Sequence, residues 1–273
     1  MTDNNIRRTF PLTGPINLAV RLGRGSVDVQ TMDGLSEATV ELAPNPGAEE
    51  LAEQITVEMN GPTLTVAAPR EGGLADLVTG WRQRSRDGVA VTVTVPTGTA
   101  LKIVTFEAPT TVTGRCGGAD IATGSGGVVL DHVDGDLLLR CGRADIQVTR
   151  VSGSVTVRSG SGETRLGEIA GALQHGCGSG TLEVAAVHGS VRSRSGSGSA
   201  RLGAVYGDVD LASGSGAMRI GLPTGVTAHL TVTTGSGQVR SDLPIEDRPS
   251  SSNRTITVRA RTGSGDVDVF RAA

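Results

Sequence analysis

The chain has 273 residues, a formal net charge of -3 and 40 glycines, and aromatic residues make up only 2% of it. The near-neutral charge gives no electrostatic argument for binding nucleic acid or an anionic membrane surface, and no nucleic-acid partner is expected. So few aromatic rings exclude a globular core filled by large side chains, whereas aligned valines and leucines suit a thin core.

The N-terminal segment, residues 1–10, is polar and has no apolar run behind a basic start. We therefore expect no signal peptide. Nothing in the sequence has the length and composition of a transmembrane helix. These features predict a cytoplasmic protein without a transmembrane segment.

Irregular β-structure is predicted ahead of the repeat, with a short helix over residues 47–54 and a turn at Asn60-Gly61. One segment breaks the alternation, because apolar residues between Leu74 and Arg86 have helical spacing around Trp81. It could bind a partner or touch a membrane, but a surface excursion between two strands is the interpretation we favour. The predicted strands cover residues 16–20, 26–30, 38–42, 55–59, 63–67 and 89–95.

A repeat of 18 residues dominates the chain from Gly117 to about Thr227. A second glycine ladder supplies a recurring G-S-G turn, as at Gly160-Ser161-Gly162. Between the turns, apolar residues alternate with polar ones, which indicates two short strands in each period. The first ladder consists of Gly117, Gly135, Gly153, Gly171, Gly189, Gly207 and Gly225.

Two strands and two glycine turns in a fixed period predict an all-β fold, a single-stranded parallel β-solenoid with 18-residue coils. Each coil would bury its apolar positions against its neighbours, about 4.8 Å away. We call a position shared by successive coils a column. One predicted inward column contains Ile121, Leu139, Val157, His175, Ser193 and Leu211.

Irregular strands at both ends are expected to cap the solenoid, because an exposed sheet edge invites polymerisation. One continuous domain is predicted, with an N-terminal β region over residues 1–98, regular coils over 99–225, and C-terminal strands with a cap over 226–273. The last predicted hairpin, around the G-S-G turn at Gly263, is expected to close the C-terminal end.

The motifs resemble a bacterial family of adhesin-like β-strand-repeat proteins of unknown function. The resemblance rests on Val95-Pro96-Thr97-Gly98 followed by Leu101-Lys102-Ile103, and on modules such as Val205-Tyr206-Gly207-Asp208-Val209-Asp210-Leu211. It covers residues 10 to 270. It implies a β-solenoid without assigned catalytic residues, and it makes a surface location an alternative to the cytoplasm.

The repeat offers few residues that could form a metal or cofactor site. A calcium-binding β-roll needs an Asp in every half-turn, and only Asp131 stands at such a position. Cys141 and Cys177 share a column two coils apart, too far for a disulfide, and Cys116 falls in a predicted turn. We expect no metal, no cofactor and no catalytic residue, and we expect His175 to be a core histidine bonded to a neighbouring coil.

Arginines are the most suggestive outward residues. Regular guanidinium spacing suits a repetitive anion such as an acidic glycan or a phosphate polymer. The alternative, which we favour, is that these charges keep exposed strands from associating. The candidate anion-binding columns are Arg140, Arg158 and Arg194 on one sheet, and Arg165, Arg201 and Arg219 on the other.

The sequence therefore predicts a non-enzymatic structural or interaction scaffold, adhesin-like and of unknown ligand. A protein or an anionic glycan is the expected partner, and self-association through the solenoid ends is a further expectation. The alternative is a carbohydrate-active or other hydrolytic β-helix enzyme, for which Asp131, Asp134 and Asp136 are the clustered acids. Aspartates in turns are usually only solvated, and that is the interpretation we favour for these three. A third class is a surface adhesin exported without a signal peptide.

Overall fold

The computed structural model describes residues 5–69, 88–243 and 254–272. The predicted excursion from Leu74 to Arg86 lies outside these residues. The chain divides into two compact units, Met1–His132 and Val133–Ala273. Both are built from stacked coils with parallel strands, so the predicted all-β solenoid is confirmed. The segment boundaries inferred from the repeat stay predictions.

Unit 1 contains one short helix, α1 (Glu49–Gln54), which confirms the helix predicted over residues 47–54. Its strands are β1 (Ile6–Pro11), β2 (Asn17–Met32), β3 (Glu37–Pro44), β4 (Thr56–Asn60), β5 (Thr63–Ala67), β6 (Val89–Pro96), β7 (Ala100–Glu107), β8 (Thr110–Cys116) and β9 (Ala119–Ser125), and β10 (Val128–Val133) runs to the unit boundary.

The coil order in unit 1 differs from the chain order. Strand β2 forms a whole coil, whose first half pairs in parallel with β7 on one edge and with β5 on the other. Its second half pairs in parallel with β8 and with β6. The β5–β6 coil is therefore outermost, and antiparallel strands cover it, because β4 pairs with β5, β3 pairs with β6, and β1 pairs with β3.

Unit 2 continues the regular pattern, with one leading and one trailing strand in each coil. The leading strands are β11 (Leu137–Arg143), β13 (Val155–Ser161), β15 (Leu173–Ser179), β17 (Val191–Ser197), β19 (Val209–Ser215), β21 (Val226–Ser236) and β23 (Arg254–Ser264). The trailing strands are β12 (Ile146–Val151), β14 (Thr164–Ile169), β16 (Leu182–Val187), β18 (Ala200–Val205), β20 (Met218–Leu222), β22 (Val239–Ser241) and β24 (Val267–Arg271).

Strand register in unit 2 follows the 18-residue period. Leu139, Val157 and His175 are direct partners in neighbouring leading strands, and Ser193 and Leu211 continue the column. All five are at most 7% exposed, so the predicted inward column is confirmed. The glycine ladders keep this spacing tight. A Cβ at Gly160 would stand 2.5 Å from the Gly142 carbonyl oxygen, which no side chain could accommodate without moving the backbone.

The C-terminal coils are also out of chain order. Strand β23 pairs in parallel with β19 on one edge and with β21 on the other, and β24 pairs with β20 and β22. The predicted closing hairpin is therefore wrong. Residues 254–271 form a coil between two others, and the β21–β22 coil, which precedes them in the chain, is outermost. Cys116 also differs from expectation, because it ends strand β8 and is buried.

Candidate functional site

The three arginines predicted on one sheet lie in a single outward column of unit 2. Arg140 pairs directly with Arg158, and Arg158 with Gly176, which in turn pairs with Arg194. Alternation along a strand explains their exposure, because their sequence neighbours face the core. The column therefore carries guanidinium groups at a regular spacing, with one gap at Gly176.

The trailing arginines lie in a second column, where carboxylates neutralise them. Arg165 and Arg201 flank Glu183, with nitrogen–oxygen distances of 3.7 and 3.5 Å, and Arg165 also contacts Glu163 at 2.6 Å. Arg219 lies 3.9 Å from Asp268 and 5.4 Å from the centre of the Phe270 ring. Such exposed pairs add only about 0–1 kcal/mol each. Their main effect is to leave this column with little net charge.

Arg194 makes a two-pronged contact with a carboxylate on the next coil. Its Nη1 donates to Asp210 Oδ1 at 3.0 Å and its Nη2 to Oδ2 at 2.7 Å, while Arg192 Nε lies 3.7 Å from the same carboxylate. The hydrogen bonds from Arg194 hold the pKa of Asp210 below its usual value, and the charges of Arg192 and Arg261 act in the same direction. Asp210 is thereby kept ionised and fixes the Arg194 guanidinium.

Two further arginines lie near Asp210, and the 18-residue repeat did not predict them. Because β23 stacks on β19, Asp210 pairs with Arg259, and Ala212 pairs with Arg261. Both arginines are exposed. The sequence does hold a signal for them, since Arg261-Thr262-Gly263-Ser264-Gly265 repeats the turn pattern of Arg194-Ser195-Gly196-Ser197-Gly198. We name Arg192, Arg194, Arg259 and Arg261 around Asp210 the arginine patch.

An open groove of about 410 Å³ lies across the arginine patch, between Arg194 and Arg261. Gly214 and Gly263 form part of its lining and leave the backbone accessible, and the exposed Thr233 stands at its side. A Cβ at either glycine would come within 2.5 Å of a carbonyl oxygen on the neighbouring coil. The close stacking of the coils therefore requires glycine at both positions of the lining.

The sequence model of the Toastrack DUF4097 family matches residues 18–272. The chain belongs to this family. Membership confirms the resemblance inferred from the β-strand-repeat motifs. A comparison with curated proteins gives no match for this Toastrack chain.

Several solved structures are similar to the Toastrack chain. A proposed adhesin from Parabacteroides merdae is 13% identical, over 97% of this chain and 95% of that chain, with a TM-score of 0.53. A proposed adhesin from Bacteroides fragilis is 15% identical over 97% and 96%, with a TM-score of 0.40. A proposed lipid binding protein from Parabacteroides distasonis is 15% identical over 100% and 98%, with a TM-score of 0.38. At these identities the first likeness shows the fold alone.

A histidine–serine pair lies inside the Toastrack core. The Nδ1 atom of His175 is 3.0 Å from Ser193 Oγ on the next coil, and both residues are buried. The expected bond between a core histidine and a neighbouring coil is thus confirmed. Burial lowers the pKa of His175 from 6.5 to about 4. The adjoining cavity of about 10 Å³ could hold no more than one water molecule, which leaves no room for a substrate in it.

A surface cluster of unit 2 brings together Arg150, Glu168, His188 and Tyr206. Arg150 Nε donates to Glu168 Oε2 at 3.1 Å, and His188 Nε2 lies 3.3 Å from the other oxygen. The rings of His188 and Tyr206 stack with centroids 4.7 Å apart. The hydrogen bond from Arg150, followed by that from His188, lowers the pKa of Glu168. A carboxyl group held ionised in this way is a poor general acid at neutral pH.

Two of the three clustered aspartates accept hydrogen bonds from the backbone. Asp131 accepts a hydrogen bond from the Gly114 amide at 3.0 Å within unit 1, and Asp136 accepts one from the Ser154 amide at 2.7 Å within unit 2. Across the described ranges, no three His, Cys, Asp or Glu side chains converge as metal ligands, and no helix is long and apolar enough to cross a membrane.

The cysteines carry free thiols. Burial raises the pKa of Cys141 from 9.0 to about 11, and it also raises the pKa of Cys177. Both thiols are therefore protonated at neutral pH, which makes them poor nucleophiles and poor metal ligands.

Proposed function

We propose that this Toastrack chain is a non-enzymatic, adhesin-like scaffold, whose outward columns bind a partner that is either a protein or an anionic glycan. The observation that carries the proposal is the register of the outward residues in unit 2, where neighbouring coils hold charged side chains one strand spacing apart. Such a surface is a fixed array, and ligand binding to it costs little ordering of the protein.

The ionisable groups also favour a scaffold over a hydrolase. His175, which has a shifted pKa, is enclosed in the core. Glu168 and Asp210 are held ionised by arginine partners, whereas a hydrolytic β-helix would need a carboxyl group able to donate a proton. The glycines at the turns add exposed backbone to the surface without adding reactive side chains.

Binding and turnover can be measured in the same solution. The purified chain is incubated with polygalacturonate, heparin and neutral dextran, and complex formation is followed together with the appearance of new reducing ends. We expect binding of an acidic glycan with no new reducing ends over a day. Reducing ends that increase with protein concentration would contradict the scaffold and support the hydrolytic alternative.

Self-association through a solenoid end is a second part of the proposal. In the β21–β22 coil, the inward residues Leu230 and Val239 are 38% and 51% exposed, and no described strand pairs with the outer edge of this coil. An apolar, unpaired edge favours addition of a second copy. Light scattering should show a concentration-dependent dimer that Val239→Lys abolishes, and a monomer at all concentrations would contradict it.

Location stays a prediction, with the cytoplasm expected from the N-terminal sequence and the cell surface as the alternative. Fractionation of the source cells, followed by protease treatment of intact cells, separates the two. Protection from the protease would support the cytoplasm.

A further inference from the structure

We propose that the arginine patch of unit 2 is a binding site for the carboxylate or sulfate groups of an acidic polysaccharide, with Arg259 and Arg261 as its main contacts. The inference rests on the proposed scaffold function and makes it specific. The site exists only because β23 lies between β19 and β21 and so brings Arg259 and Arg261 beside Arg192 and Arg194.

The register sets the spacing of the patch. Arg192 and Arg194 lie on β17, and Arg259 and Arg261 lie two strands away on β23, with Asp210 and Ala212 on the strand between them. Along a strand, outward neighbours are about 6.6 Å apart, and two strand spacings are about 9.6 Å. The Cα atoms of the four arginines thus form a rectangle of about 6.6 by 9.6 Å, and one monosaccharide with its charged substituent could span it.

The patch retains positive charge after its internal pairing. Four guanidinium groups and one carboxylate leave a formal charge of +3. Asp210 contacts Arg194 and Arg192, while Arg259 and Arg261 have no carboxylate within ion-pair distance in the part of the chain that the structure describes. The trailing column differs, because carboxylates flank Arg165 and Arg201 there.

The groove explains why a polymer, rather than a small anion, fits the patch. It is open along the surface, and glycines in its lining leave room for a chain to lie between Arg194 and Arg261. Guanidinium forks pair with carboxylate and sulfate oxygens in two-pronged contacts. Among the residues that the structure describes, no aromatic side chain lines the groove, whereas proteins that bind single-stranded nucleic acid stack bases on aromatic rings. These features favour an acidic polysaccharide over a nucleic acid.

The test compares two double variants that change the net charge by the same amount. Arg259→Gln/Arg261→Gln removes the two patch arginines that β23 contributes, and Arg165→Gln/Arg201→Gln removes two arginines flanked by carboxylates. Affinities for polygalacturonate and heparin are measured at low and high ionic strength, with neutral dextran and single-stranded DNA as controls. We expect the patch variant to bind at least about tenfold more weakly and the control variant to change less than about twofold.

A third variant gives an effect of opposite sign, which loss of folding could not produce. Asp210→Asn removes the carboxylate from the patch, so we expect tighter binding of the same polysaccharide at low ionic strength. Polygalacturonate carries carboxylates only, whereas heparin carries sulfates as well as carboxylates. Binding of heparin without binding of polygalacturonate would therefore show that the site requires sulfate.

Several outcomes would overturn the site. Equal weakening by the two double variants, or none, would place the binding elsewhere and leave the scaffold intact. Preferential binding of DNA, or no binding of any acidic polysaccharide, would also refute the assignment. New reducing ends would instead count against the scaffold, whatever the patch variants do.

Discussion

The outermost coils of the two units have the same strand pattern but very different cover. In unit 1, antiparallel strands β3 and β4 lie on the β5–β6 coil, and Leu64 and Val91 of this coil are completely buried. In unit 2, the β21–β22 coil has described neighbours on one side only, and Leu230 and Val239 are substantially exposed. The inward side chains of an outermost coil are thus fully buried only where a further layer of strands covers the coil. Apolar residues in the coil are not sufficient by themselves.

The largest expected effect is the difference in stability loss when a charge is placed in each of the two outermost coils. Val91→Asp would bury an unpaired carboxylate and should destabilise the protein by at least about 4 kcal/mol. Val239→Asp stands at an exposed position and should cost less than about 1 kcal/mol. Denaturant unfolding measures both. Val267→Asp, in the same column as Val239 but one coil inward, is the matched control and should resemble Val91→Asp.

The inward columns of the units also differ in polarity. In unit 1, Val20, Ile103 and Ile121 form an apolar inward column, whereas an inward column of unit 2 contains His175 and Ser193. Burial lowers the pKa of His175 from 6.5 to about 4. Between these pH values the imidazole is protonated in the unfolded chain and neutral in the folded chain. Stability from this group is therefore present above pH 6.5 and is lost as the pH falls towards 4.

The variant His175→Leu should remove that pH dependence. The difference in unfolding free energy between wild type and variant should change by on the order of 3 kcal/mol between pH 7 and pH 4. Urea unfolding at a series of pH values measures it, and His188→Gln, at an exposed position, is the control. A wild type and variant with parallel pH profiles would show that His175 is not buried in its neutral form.

Much of the regular architecture could be predicted from the sequence, because each coil repeats the same physical constraints. The 18-residue glycine ladders fixed the columns, including Val157 and His175. The coil order at the C-terminus could not be read in this way. The G-S-G turns at Gly235 and Gly263 both fit the pattern, and nothing local states which coil is inner. In the structure the inner coil has the longer trailing strand, because β24 has five residues and β22 has three.

The candidate site was predictable only in part for the same reason. Arg194 follows the 18-residue period, so its column could be predicted. Arg259 and Arg261 lie near it because β23 pairs with β19 at an offset of 49 residues, which the period does not contain. The neutralisation of Arg165 and Arg201 depends on side-chain reach across coils, which column position alone does not determine.

The smallest expected effect concerns the mobility of the outermost coils. Amide hydrogens in β21 and β22 should exchange at least about tenfold faster than those in β5 and β6, because the uncovered coil can detach without exposing a second layer. Hydrogen exchange with mass spectrometry resolves the two regions. Equal protection would mean that the outermost coil of each unit is covered to the same degree.

Engineered disulfide formation tests the interleaved coil order, on which the arginine patch depends, most directly. Asp210 and Arg259 are direct partners in neighbouring parallel strands, whereas Thr231 pairs with Arg259 and so lies a further strand away from Asp210. In a Cys177→Ser background, Asp210→Cys/Arg259→Cys should therefore oxidise to a disulfide, and Asp210→Cys/Thr231→Cys should remain reduced, because two strand spacings, about 9.6 Å, exceed disulfide reach. The reverse result would place β21 beside β19 and would contradict both the fold order and the patch.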